Sequence, residues 1–101
     1  MRLHFTDNEV KIMEQCLKKW GLQTQIGQAV EECAELIAVL QKYTYSSGND
    51  CDVEKILDEI ADVEMMLGQM RLCLGISDET LRRRVSEKFA RLSHYLENDM
   101  V

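Results

Sequence analysis

Proline is absent from this chain of 101 residues, so no pyrrolidine ring breaks a helix at any point along it. Long apolar runs are absent as well. Nothing approaches the ~18 consecutive residues that crossing a bilayer requires, which excludes a membrane span. The four cysteines (Cys16, Cys33, Cys51 and Cys73) lie far apart, with no C-x-x-C pair. His4 and His94 have no partners at metal spacing, so zinc binding and thioredoxin-like chemistry have little support. Cys33 and Cys73 fall among apolar helical positions, where a thiol acts as a small hydrophobe. The segment Met1-Arg2-Leu3-His4-Phe5-Thr6-Asp7 lacks the apolar region of a secretory signal, and a cytoplasmic location is expected.

Positive charge is also in short supply. Twelve Lys and Arg face 18 Asp and Glu, for a net charge of −6. Residues 31–64 hold ten acids against Lys42 and Lys55, a net of −8, which leaves the remainder of the chain at +2. Such a centre repels duplex nucleic acid, whose phosphates would meet carboxylates. A phosphate ligand could approach only with cations in between.

What is present is a pattern of helices. The 46% hydrophobic and 30% charged composition suits one domain over residues 1–101, with residues 1–5 and 98–101 loosely ordered. Thr6-Asp7-Asn8-Glu9 reads as a capping box. A first helix follows to about Trp20, burying Val10, Met13 and Leu17, and stops at Gly21. A second runs from Leu22–Thr24 to about Tyr43, with Ile26, Val30, Cys33, Ile37 and Leu40 on one face. Tyr45 to Asp50 reads as a polar loop. A third helix from Asp50–Val53 carries Val53, Ile56, Leu57, Ile60, Val63, Leu67, Met70 and Leu74 to Gly75. Ser77 caps a fourth, whose stripe is Leu81, Val85, Phe89, Leu92 and Leu96. The expected fold is all-α, of four-helix bundle type. Ala29, Ala34, Leu36 and Val39, with Ala61, Met65 and Met66, widen the apolar surface beyond one stripe. A core completed by a homodimer or homotetramer is therefore expected.

Two helices also carry crowded acids. Glu32 and Glu35 stand one turn apart, and so do Glu59 and Asp62. Like charges at that spacing cost a helix roughly 0.2–0.5 kcal/mol per pair. The pattern occurs twice, abuts the apolar stripe, and the places one turn away that would hold compensating lysines or arginines are largely empty. If the second and third helices pack antiparallel, the four carboxylates converge on one cleft, with Glu31 beside them. A hard divalent cation such as Mg²⁺, or Mn²⁺ in its place, is the ligand that oxygen donors of this kind suit.

Glu31-Glu32-Cys33-Ala34-Glu35-Leu36 followed by Glu59-Ile60-Ala61-Asp62-Val63 resembles the E-E-x-x-E … E-x-x-D signature of MazG-like, all-α nucleoside triphosphate pyrophosphohydrolases. Trp20-Gly21, Gln25, Lys42-Tyr43 and Lys88-x-x-Arg91-Leu92 extend the resemblance over roughly residues 17–96. It implies a MazG-like fold and Mg²⁺-dependent cleavage between the α- and β-phosphates, giving a nucleoside monophosphate and pyrophosphate, with a role in clearing the nucleotide pool. Glu32, Glu35, Glu59 and Asp62 would be the metal ligands, and Glu31 or Glu35 the catalytic acceptor of a water proton. Trp20 would stack on the base and Gln25 bond its edge, while Lys42, Lys88 and Arg91 would meet phosphates. Two alternatives stand beside this reading: a phosphoribosyl-ATP pyrophosphohydrolase, and a helical dimerisation or adaptor module without catalysis.

Overall fold

The computed structural model describes residues 5–45 and 53–98. It is all-helical: α1 (Asp7–Tyr45), α2 (Val53–Cys73) and α3 (Asp78–Glu97), with no strand among the described residues. No helix in it is long and apolar enough to cross a membrane. The polar loop expected after Tyr45, Cys51, and most of the two termini lie outside the described residues.

The ends of the helices follow their sequence signals. The Thr6 hydroxyl accepts from the Glu9 backbone N–H at 3.1 Å, and the Glu9 carboxylate accepts from the Thr6 N–H at 2.8 Å. This reciprocal box satisfies two donors that a helix start leaves orphaned. At the far end of α2, Ile76 N–H donates to the Arg71 carbonyl at 2.9 Å and Gly75 N–H to the Leu72 carbonyl at 3.3 Å. That is a Schellman ending, and Gly75 sits at its left-handed position with φ 67°. Ser77 then starts α3, its hydroxyl accepting from the Thr80 N–H at 3.1 Å.

Gly21 breaks the helix where the sequence places a stop, standing outside helical geometry with helix on either side of it. Its φ of 84° and ψ of 166° put a kink between two helical segments. The first and second expected helices are therefore two arms of α1, residues 7–20 and 22–45, meeting at a single-residue break. Only glycine occupies that region of backbone space without strain. Nothing lies within 4 Å of where a Cβ would stand, so the backbone alone resists substitution there. Gly21→Ala is expected to cost about 1–3 kcal/mol of stability, read as a lower midpoint in urea unfolding at unchanged slope.

α1 and α2 pack together, and α3 packs against neither among the described residues. Val10 and Met13 are buried where the first arm of α1 meets α2. There Gly68 leaves room for the Phe5 ring, which a Cβ would approach to 2.6 Å. The seam between the second arm and α2 differs from the expected one. Its buried residues are Gln25 and Ala29 on α1, with Met66 and Gln69 on α2. Val30, Ile37 and Leu40, placed on the buried face by their spacing, are exposed, as are Val53, Leu57, Ile60, Leu67 and Leu74. The physical reason is that two helices cover only one side of each other, and both helices are apolar on more than one side. The α3 stripe is likewise uncovered: Phe89 is 62% and Leu96 70% exposed, because nothing in the described chain packs against it.

Candidate functional site

The seam has a simple register. On α1 the residues Gln25, Ala29 and Glu32 recur at steps of four and three, and on α2 so do Asp62, Met66 and Gln69. Each set therefore lines one face of its helix. The two elements run antiparallel, because Gln25 bonds Gln69 at one level while Glu32 meets Glu59 and Asp62 at another. The result is a short ladder: amide against amide at one end, Ala29 and Met66 in the middle, and acid against acid at the other. Seven residues at 1.5 Å each separate the two polar ends by about 10 Å.

At the acidic end, one carboxylate oxygen each from Glu32, Glu59 and Asp62 lies within 4.8 Å of the others. All three side chains are half-buried. One oxygen of Glu32 accepts from Gln28 Nε2 at 3.1 Å, a bond one turn along α1 that sequence reasoning did not single out. The other oxygen of Glu32 and one of Glu59 are shut off from solvent with no hydrogen-bond partner among the described residues. Buried carboxylate oxygens ordinarily find donors, and each one left without a partner costs free energy.

Glu35 does not join the group of three, although its spacing from Glu32 placed it there. It is exposed on the rim, and its carboxyl is held above the usual carboxylate range. The Glu32 charge is the main cause, followed by partial loss of hydration, a hydrogen bond with Glu32, and the charges of Glu59 and Glu31. The linkage sign follows directly. Folding raises this proton affinity, so repulsion weighs on the folded state once pH exceeds the folded-state value and vanishes below the unfolded one. Glu35→Gln is therefore expected to raise the thermal midpoint of metal-free protein at neutral pH. That gain should disappear as pH falls below the ordinary carboxylate range, and equal gains at all pH values would contradict it.

At the amide end a cavity of about 330 Å³ opens beside the seam. The first arm of α1 contributes Cys16 and Trp20, the second arm Thr24, Gln25 and Gln28, and α2 contributes Met65, Met66 and Gln69. Trp20 and Gln25 thus lie together, as expected, and Gln28 touches both this cavity and the acids through Glu32. Lys19 stands over the Trp20 ring, 5.3 Å from its centroid. Gln69, Met65 and Met66 are cavity residues that the sequence reading missed as such. Their signal was the polar Gln69 standing seven residues after Asp62 in an otherwise apolar stripe.

The cations are placed differently. Lys42 is exposed in the last turn of α1. Lys88 and Arg91 are exposed on α3, which packs against neither α1 nor α2, so within one chain they do not join the acids. Glu31 is exposed on α1. Cys16, Cys33 and Cys73 are free thiols, half-buried, and burial pushes the Cys73 thiol up. No protein-family model, curated protein or solved structure matches the chain.

Proposed function

We propose that this chain is a Mg²⁺-dependent nucleoside triphosphate pyrophosphohydrolase of MazG-like type, cleaving NTPs or dNTPs to a nucleoside monophosphate and pyrophosphate. The observation that carries the reading is the meeting of Glu32, Glu59 and Asp62, with two carboxylate oxygens buried and without partners, one end of a seam from a neutral cavity. Three converging carboxylates with no nitrogen or sulfur donor among them fit a hard divalent cation and fit softer metals poorly. Glu32, Glu59 and Asp62 would hold it, with Glu35 on the rim. When bound, Mg²⁺ (or Mn²⁺) would neutralise the triphosphate and polarise the phosphoryl group under attack.

The remaining steps belong to side chains of the protein. Gln28 holds one oxygen of Glu32 and so fixes the direction of its carboxylate. Glu35, whose neighbours raise its affinity for a proton, is the acceptor for the proton of the attacking water, and Glu31 orients that water. Trp20 stacks on the base and Gln25 bonds its edge, about 10 Å along α1 from Glu32. Lys42, Lys88 and Arg91 serve the phosphates, the latter two from α3 once a second copy is in place.

That second copy is part of the proposal. Exposed Val30, Ile37, Leu57 and Ile60 on the α1–α2 pair, and Phe89 and Leu96 on α3, supply the apolar surface for a homodimer or homotetramer. Two α1–α2 pairs would then complete a four-helix bundle-type core. Pyrophosphate release with Mg²⁺ across a panel of NTPs, dNTPs and phosphoribosyl-ATP tests the function, and light scattering the assembly. Cleavage confined to phosphoribosyl-ATP would move the substrate to that class. No cleavage of any nucleotide would favour a helical adaptor, which the same uncovered apolar faces would also serve.

A further inference from the structure

Gln25 and Gln69 are each only 5% exposed, and both line the cavity at the amide end of the seam. Gln69 Nε2 donates to Gln25 Oε1. This bond leaves the Gln25 NH₂ and the Gln69 carbonyl with no other partner among the described residues. A buried amide pair thus offers an unbonded NH₂ group on Gln25 and an unbonded carbonyl on Gln69 side by side. Around it stand Trp20, Met65 and Met66, and no charged side chain lines the cavity. A cavity near 330 Å³ has the size of small-molecule sites, and its lining suits a flat, neutral ring with a mixed donor–acceptor edge.

The pair can keep its mutual bond in a second arrangement. If both amides turn over together, Gln25 donates to Gln69, and the groups left over become the Gln69 NH₂ and the Gln25 carbonyl. The terminal amide torsion of glutamine is broad and roughly two-fold, so the exchange needs no backbone movement. The mutual bond is kept in both arrangements, and the offered pattern is reversed.

We propose that the Gln25–Gln69 pair is a reversible reader of the base edge, which lets one cavity accept bases of opposite hydrogen-bonding polarity. A uracil-type edge, with a carbonyl acceptor beside a ring N–H donor, takes one arrangement. A cytosine-type edge, with an amino donor beside a ring-nitrogen acceptor, takes the other. The proposal rests on the nucleotide reading above, and it assigns breadth of base choice to two named residues. Gln69 is a specificity-determining residue in it on the same footing as Gln25.

The test uses binding and needs no hydrolysis. Trp20 is the only tryptophan and lines the cavity, so its fluorescence reports on this site alone. The full chain, free of metal, is titrated with cytidine, uridine and 3-methyluridine. Cytidine and uridine are expected to bind within about threefold of one another, and 3-methyluridine, which has lost the ring N–H, at least tenfold more weakly than uridine. In Gln25→Glu, with its helicity checked by circular dichroism, a carboxylate that only accepts replaces the reversible amide, and cytidine should gain about tenfold over uridine. Discrimination between cytidine and uridine beyond tenfold by the unaltered protein would overturn the proposal, as would equal binding of uridine and 3-methyluridine, neither of which depends on a variant folding. Pyrophosphate release without these preferences would sink the edge reader and leave the enzyme standing. The preferences without pyrophosphate release would do the reverse.

Discussion

Asp62→Asn and Glu59→Gln are each expected to lower pyrophosphate release by at least about 100-fold, with little change in the helical content of the protein. Both replacements keep the shape of the side chain and remove its charge. Even groups that only support a metal ligand cost 10–100-fold in affinity or activity when lost, and these two side chains are among the three whose oxygens converge within 4.8 Å. Glu35→Gln should leave metal binding closer to normal, because Glu35 lies outside that group, while removing the proposed proton acceptor. The sharpest readout is therefore a pair of curves: rate against Mg²⁺ concentration for Asp62→Asn and for Glu35→Gln. The first should shift to higher metal, and the second should fall in height at an unshifted midpoint. Full activity in Asp62→Asn would remove the acidic end of the seam from the mechanism.

The second large effect is on stability and needs no substrate. Binding only to the folded state stabilises it by about 2.7 kcal/mol when the metal stands a hundredfold above its Kd. For a domain of this size that corresponds to a rise of roughly 10–20 °C in Tm. Mg²⁺ should produce such a rise in the unaltered protein and none in Glu32→Gln. The metal-free baseline should move the opposite way. Glu32→Gln removes one of the like charges beside Glu35 and gives the half-buried position a neutral amide, so its own Tm without metal should be no lower than that of the parent. A purely structural role for Glu32 predicts the contrary: a lower baseline and an undiminished response to Mg²⁺. Scanning fluorimetry at several metal concentrations separates the two.

Much of this architecture is legible in the amino-acid sequence. Capping chemistry is local, so Thr6-Asp7-Asn8-Glu9 and Ser77 declared their helix starts, and Gly75 its helix end. The acidic convergence was legible for the same kind of reason: Glu32, Glu59 and Asp62 lie at fixed angles on two helices joined by a short connection. Burial was harder to read, since it depends on which of several apolar sides finds a neighbour. Val30 and Ile37 match the helical period as well as Ala29 does, yet only Ala29 lies in the seam. Glu35 shows the same limit on the polar side: it stands beside Glu32 as its spacing requires, yet it lies exposed and outside the group formed with Glu59 and Asp62. Gln69 went unremarked because an amide in an apolar stripe has meaning only when its partner, 44 residues earlier in the chain, is known.

Gly21 has a mechanical side as well as a conformational one. It divides the walls of the cavity between two rigid pieces, with Cys16 and Trp20 carried by one arm and Thr24, Gln25 and Gln28 by the other. Glu32, Glu59 and Asp62 all lie beyond the break, on the second arm and on α2. The kink of α1 thus stands at the lip of the cavity. The direction of the chain at that one residue therefore sets the space beside Trp20, while the spacing of the three carboxylates is set elsewhere, by the second arm and α2.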